Sequence, residues 1–487
     1  MVDIKPFAAW RYNTLKVNLS DVIAPPYDVI DAAEQETLYA RSAENIVRLI
    51  LGKDEPLDRP EGPNKYLRER TYMEAWRKEA VLIKESEPTF YAYRKTYPHP
   101  DTGHPVERLG FFALLKLEDF SQKKVLPHEQ THLAPKVDRM HLIRAVRGNL
   151  SPVFGLYEDP EFKLAPYFKK AFHASPLIST VDDRKIKHEL WTITNGMDQA
   201  AVASFFKQQS IMIADGHHRY ETALAYRDEV RKARSIPSTP QNVIVARTSG
   251  EAAGAEQSQS GISETASSPE ADPPLAEAKS GSSARSDTVS SDYVLAVLVN
   301  MYDAGLLVFP THRLLALKSL PEPAALRTML QEFFHVKSLK DSRRGDWESA
   351  LEKNHAQGVS VGMYMGKSAS YILTLKDPHE ARAFMPAGKS DTWYNLDVNV
   401  VSYILIRKVL AVGEPHFEES VSYTRDLDDA LARVNEKKAA VAFIMNPPRV
   451  EQVKAICWAG ETMPQKSTYF YPKLPSGLLL HLHERSL

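Results

Sequence analysis

The chain is nearly devoid of cysteine, with one, Cys457, in 487 residues. A single thiol excludes an intrachain disulfide framework and argues for an intracellular setting. Its neighbours Ala455, Ile456 and Trp458 are apolar, which reads as a buried structural thiol rather than a nucleophile. There is no charge excess either: 61 basic residues face 62 acidic ones, for a formal net charge of -1. That balance argues against a protein whose main task is coating nucleic acid, since such proteins carry a basic surplus. Only a local basic groove stays open. Long apolar runs are also missing, and none approaches the ~18 to 20 residues that cross a bilayer. The opening Met1-Val2-Asp3-Ile4-Lys5-Pro6 lacks the apolar run of a signal peptide. The expectation is a soluble, cytoplasmic protein without a membrane partner.

The composition that remains is ordinary for a globular chain, 43% hydrophobic and 25% charged. The length gives room for two or three domains and a substantial core. One stretch departs from the rest. From Thr248 to Ser291 the chain is Ser, Ala, Glu, Gly and Pro without an aromatic residue, and its large aliphatics are Ile262, Leu275 and Val289. So little apolar surface cannot offset the entropy of ordering the segment, which reads as a disordered insertion. It divides the chain into an α/β part over 1–247 and a second α/β part over 292–487. The second part either stands alone or completes the first.

Hydrophobic patterning predicts strands at Phe90–Tyr93, Leu109–Leu117, Ile211–Ala214, Tyr293–Val299 and Ala440–Met445. Helical spacing marks Lys136–Arg147, Glu322–Phe334, Asp397–Val412, Asp426–Asn435 and Val450–Trp458. Strands and helices alternate without a strict βαβ repeat, so the predicted class is α+β, a mixed α/β fold.

The strongest local signal is Ile211-Met212-Ile213-Ala214-Asp215-Gly216-His217-His218-Arg219-Tyr220. A buried strand ends at Asp215, Gly216 allows a tight turn, and a helix begins near His218. In that geometry free backbone amides and the helix dipole point at an anion. Arg219 can pair with phosphate oxygens through two nitrogens. His217 and His218 can donate to phosphate or shuttle a proton, and Asp215 can bind magnesium or act as a base. A helix cap with solvated histidines is the bland alternative. Two histidines and an arginine crowded onto one helical turn favour function.

Other groupings are weaker. His128-Glu129-Gln130-Thr131-His132 matches the zinc-protease pattern, but Pro127 and Pro135 leave at most two helical turns for it. Glu129 reads equally as a base or metal ligand for phosphoryl transfer, with Lys136 and Arg139 adding positive charge, or as part of a helix-capping loop whose charges pair with each other. Asp28 sits on the rigid loop Ala24-Pro25-Pro26-Tyr27, which is as much a structural turn as a catalytic loop. His312 and Arg313 follow a strand and a proline, and either add ligand contacts or form a buried hydrogen-bonded corner. Lys466, Ser467 and Thr468 offer a cation and two hydroxyls to a substrate.

The run Asp215-Gly216-His217-His218-Arg219-Tyr220 resembles the phosphate-binding box of the ParB and sulfiredoxin-like superfamily, which includes kinases of free serine. Across the chain, the segments Ile4–Phe7, Ala24–Ile30, Pro127–Glu129, Asn149–Tyr157, Pro310–Arg313 and Met463–Lys473 resemble a bacterial family catalogued as a domain of unknown function, the DUF1015 family. The resemblance implies a ParB/sulfiredoxin-like nucleotide-binding core, with ATP or ADP as phosphoryl donor, magnesium, and a small alcohol such as serine as acceptor. Asp28 or Glu129 would be the catalytic carboxylate and His218 would assist. The alternative is a ParB-like nucleotide-binding regulator with slow hydrolysis or none.

Overall fold

The computed structural model describes residues 1–130, 133–235, 290–339, 343–355, 358–366, 369–413 and 416–483. The longest apolar runs assemble a nine-stranded mixed sheet. Its order is Val125–Leu126, Ile211–Asp215, Val153–Tyr157, Tyr293–Asn300, Pro105–Lys116, Phe90–Pro98, Lys187–Ile193 and Ile178–Val181, with Ile4–Lys5 pairing alongside Pro105–Lys116. Every residue of Tyr293–Asn300 is buried, as a strand covered on both faces requires. It runs antiparallel to Pro105–Lys116, from Tyr293 opposite Lys116 to Val299 opposite Gly110, and parallel to Val153–Tyr157.

A six-stranded antiparallel sheet follows, in the order Phe334–Ser338, Ser370–Leu375, Ser360–Tyr364, Val441–Ile444, His312–Leu315, Val421–Thr424. One apolar cluster joins the two sheets, with Phe154 and Met212 from the first and Leu315, Val361 and Phe443 from the second. The part after the insertion therefore does not stand apart. It supplies a central strand of the first sheet, and His481–Leu482 returns to pair with Gly148–Asn149.

The class is mixed α+β. The strand around Leu109–Leu117 starts earlier, at Pro105, because it forms a ribbon with Phe90–Pro98 whose outer end carries polar residues and so hides the apolar signal. The helix predicted over Asp397–Val412 divides into a short α segment, Asp397–Asn399, and a wider Val400–Val409 turn series. Most of the predicted insertion lies outside the described residues. Ser291, assigned to the insertion, is buried in a turn over Ser290–Asp292. Cys457 is buried in the Val450–Trp458 helix, and burial pushes its thiol up to about 12. Among the described residues no helix is long and apolar enough to cross a membrane.

Candidate active site

Ile211–Asp215 is buried throughout and lies between Val125–Leu126 and Val153–Tyr157. The register shifts between Ile213 and Asp215, the kind of bulge that re-aims a side chain at a strand end. Gly216 follows at φ +89°. A Cβ there would meet the Arg219 Nε at 2.9 Å, so both backbone and packing require glycine. The helix His217–Ser235 then begins, with the Tyr220 amide donating to the Gly216 carbonyl at 2.9 Å. Amides ahead of that bond have no intrahelical acceptor, and the helix dipole adds positive potential there. Tyr220 fixes the helix from behind: its hydroxyl donates to the Glu118 carbonyl at 2.8 Å, and its ring stacks on Phe120.

The turn borders a cavity of about 520 Å³. Gly216, His217, His218, Arg219, Asp28 and Lys473 all line it. Asp215 is a counter-ion within this group. One carboxylate oxygen accepts from Arg219 and the other from Lys473, and Arg219 also donates to the Pro152 carbonyl. Burial would raise the Asp215 carboxyl, but Lys473 and Arg219 outweigh it and hold the group below the ordinary carboxylate range. Burial likewise opposes the charge on Lys473, yet Asp215 and then Asp28 keep its pKa above the usual lysine value.

Two buried cations fix the segment that carries Lys473. Lys95 Nζ donates to the Lys473 carbonyl at 2.6 Å. Arg108 donates to the carbonyls of Tyr471 at 3.0 Å and Pro472 at 2.9 Å. Opposite, the Arg425 guanidinium sits 3.8 Å from the centre of the Tyr469 ring, which also lies 4.8 Å from Lys473 Nζ.

His128, Glu129 and His217 form the adjoining wall. His128 is buried, donates through Nδ1 to the Ile213 carbonyl, and meets the Thr468 hydroxyl through Nε2 at 2.6 Å. The Glu129 carboxylate accepts from the amides of Lys466 at 3.3 Å, Ser467 at 3.1 Å and Thr468 at 2.9 Å. Burial pushes the Glu129 carboxyl up, but His128, His217 and the Thr468 amide prevail and hold it at about 2. A carboxylate so stabilised is a weak base. His217 Nε2 accepts from the His128 amide at 3.3 Å. Loss of water contact, then the neighbouring His128 ring, push its pKa down to about 3. Neutral, with Nε2 accepting, it must carry its proton on Nδ1.

Asp28 is exposed at the cavity, on a single turn, Tyr27–Val29, whose approach is pinned by paired Ala24 and Ser476 backbones. Lys136 and Arg139 are not among the residues lining the cavity. Lys136 pairs with Glu221 at 2.6 Å, and Arg139 bonds Asp138 and the Ile50 carbonyl while covering the Tyr27 ring at 4.1 Å. Arg139 thus reaches the site only through Tyr27. Both charges are thus taken by nearby partners, which helical spacing alone does not show. His312 is likewise turned inward, its Nδ1 accepting from the Met445 amide at 3.1 Å. Arg313 lines a neighbouring cavity, while Lys466 and Thr468 line this one. The candidate protease motif is half seen: Thr131 and His132 lie outside the described residues, and both ring nitrogens of His128 are engaged.

Asp215 does not fit the magnesium-ligand role expected of it, since both of its oxygens are engaged by cations. Among the described residues no group of three or more His, Cys, Asp or Glu is placed to hold a metal. Sequence reasoning missed Lys473, Arg425 and Tyr469, although Lys473 closes the last segment of the family resemblance. A further signal was available in Lys95 and Arg108, charges placed among apolar and aromatic strand positions.

The family model described as protein of unknown function (DUF1015) matches residues 4–249 and 274–399, and the chain belongs to that family. An ATP-dependent L-serine kinase from Staphylothermus marinus is 24% identical over 197 residues, 39% of this chain and 77% of that protein. Among solved structures, a free serine kinase in complex with AMP is 12% identical with a TM-score of 0.32, covering 76% of this chain and 91% of that one. A conserved hypothetical protein from Pyrococcus furiosus is 13% identical with a TM-score of 0.31, covering 76% and 94%.

Proposed function

We propose that this protein is a small-molecule phosphotransferase that binds ATP or ADP with its phosphates on the Asp215–Arg219 turn. The observation that carries the reading is the shared cavity: an exposed carboxylate, Asp28, faces the helix N-terminus, Arg219 and Lys473. Arg219 and Lys473 stabilise charge on the transferring group, and the first-turn amides and His218 orient it. The acceptor is an alcohol such as serine, a choice supported by the named activity of the Staphylothermus marinus relative. The bond from the terminal phosphorus to its bridging oxygen breaks, a bond to the alcohol oxygen forms, and the alcohol proton passes to Asp28. The products are the phosphate ester and ADP from ATP, or AMP from ADP. Positioning and preorganised charge supply most of the rate in such reactions. Glu129 is assigned to holding the 466–468 loop, because its amide partners leave it weakly basic. A magnesium ion carried in on the nucleotide is part of the substrate, and Asp215 stays paired with Arg219 and Lys473.

The test is phosphorus NMR of the protein with ATP or ADP and L-serine. The reading predicts an O-phosphoserine signal, lost in Asp28→Asn while nucleotide affinity persists. Nucleotide binding without transfer to serine or any related alcohol would contradict the enzyme and favour a nucleotide-binding regulator.

A further inference from the structure

A second cavity, about 650 Å³, adjoins the first and shares Gln130, Tyr423, Gln465 and Lys466 with it. Its charge is one-sided. Arg313, Lys389, Arg407 and Lys466 line it, and none of its described lining residues is a carboxylate. Trp393, Tyr403 and Tyr423 also line it.

Arg313 is the least expected member. It sits on His312–Leu315, an internal strand of the six-stranded sheet, and is 1% exposed. Among the described residues its side chain makes one hydrogen bond, at the long distance of 3.5 Å to the Thr311 carbonyl, and lies 5.7 Å from the Tyr423 ring centre. Among the described residues, a fork of five donors is thus met by one long backbone bond. A buried cation costs stability unless it is paired and hydrogen-bonded. The carboxylate that acts on Arg313 is Glu129, whose oxygens are already taken by the 466–468 amides, so the guanidinium's hydrogen bonds are left to an anion in the cavity. Lys389 Nζ lies 5.6 Å from the Trp393 ring centre, and Arg407 lies 4.8 Å from that of Tyr403. The cations are therefore presented beside aromatic faces.

We propose that this cavity is a second binding site, for an organic anion that joins a carboxylate or phosphate group to a flat ring. The acid group is taken by Arg313 and Lys389, and the ring packs against Trp393 and Tyr403. Its volume well exceeds that of a free amino acid such as serine. The proposal goes beyond phosphoryl transfer at the turn and does not depend on it.

Calorimetric titration of the full chain with 1-naphthyl phosphate, 1-naphthoate, 1-naphthol and inorganic phosphate tests it. The expected result is saturable binding of at least one naphthyl anion, tenfold or more tighter than 1-naphthol or inorganic phosphate. Whichever naphthyl anion binds tighter identifies the acid group. Lys389→Ala, at a half-buried position, should weaken that binding at least fivefold. Arg313→Met should weaken it further if circular dichroism shows the variant folded, and Lys389→Ala decides the matter if it is not. Arg219→Ala should leave the affinity unchanged, which separates this site from the turn. Equal binding of 1-naphthol, no binding of either anion, wild-type affinity in Lys389→Ala, or loss of binding in Arg219→Ala would each overturn the proposal.

Discussion

Asp215 and Arg219 stand four residues apart on either side of Gly216, and their side chains close an ion pair back across the glycine. The pair makes the turn a preorganised unit. The strand end supplies the anion, the helix start supplies the cation, and Lys473 completes the group from 258 residues away. Arg219 and Lys473 are thus held in place with their orientation set by Asp215, ready for the phosphate that the proposed function brings to the turn.

Gly216→Ala tests the turn. At φ +89° and with Arg219 Nε 2.9 Å from a new Cβ, alanine should destabilise the fold by about 1 to 3 kcal/mol. It should also weaken nucleotide binding by displacing the guanidinium. Urea unfolding followed by circular dichroism reads the first effect. An unchanged midpoint would mean that the left-handed turn is not there.

Removing the shared anion should cost more. Asp215→Asn leaves Lys473 and Arg219 without their carboxylate, and breaking a buried pair from one side costs roughly 3 to 5 kcal/mol. The double variant Asp215→Asn/Lys473→Met should recover part of that loss. Additive effects in the double-mutant cycle would show that the two side chains do not interact.

Lys95→Met addresses positioning. Burial pushes the Lys95 ammonium well below its ordinary pKa, and its shorter hydrogen bond is to the carbonyl of Lys473. Stability should change little, because methionine removes a costly buried charge. Affinity for ADP should fall severalfold as the Lys473 segment loosens, and an unchanged affinity would remove this positioning role.

Stability should fall as pH drops below 6.5. Burial holds His188 and His312 down at about 4, while an unfolded histidine takes its proton near pH 6.5. Below that pH the unfolded chain binds more protons, so stability falls with pH by up to about 1.4 kcal/mol per unit per histidine. Glu69 acts in the opposite sense. Burial pushes its carboxyl up to about 8, so the folded state keeps a proton that the unfolded chain releases at about pH 4.5, and stability falls as pH rises towards 8. His217 and His483, held down at about 3, add to the loss below pH 6.5. Above it Lys95, which burial pushes below its ordinary pKa, opposes Glu69, because there the unfolded chain binds the extra proton. Urea midpoints should fall from pH 6.5 to 5, and Glu69→Gln should gain stability relative to the wild type as pH rises from 5 to 8. A midpoint that does not fall between pH 6.5 and 5, or a constant difference between the two proteins, would contradict this.

What could be read from sequence was local. The apolar run Ile211–Ala214, the glycine and the polar helix start are contiguous, so their geometry follows from backbone rules alone. The mixed class was also legible, since each strand and helix carries its own periodicity. Sheet order was not: the place of Tyr293–Asn300 between Val153–Tyr157 and Pro105–Lys116 depends on pairings across more than a hundred residues. The same limit hid Lys473, whose carboxylate partner lies on a distant strand. It also hid the partners of Lys136 and Arg139, whose spacing marks their helix but not that Glu221 and Ile50 take them. Glu129 had the right residue type for a base, and only the folded 466–468 loop shows its amides claiming that carboxylate.

The central claim is that nucleotide phosphates bind at the Asp215–Arg219 turn. Calorimetric titration of ATP and ADP, with and without magnesium, into the wild type and Arg219→Ala tests it most directly. The account predicts saturable binding of at least one nucleotide to the wild type. It also predicts at least tenfold weaker binding to a variant whose circular dichroism is unchanged. Equal affinity in the two proteins would contradict it.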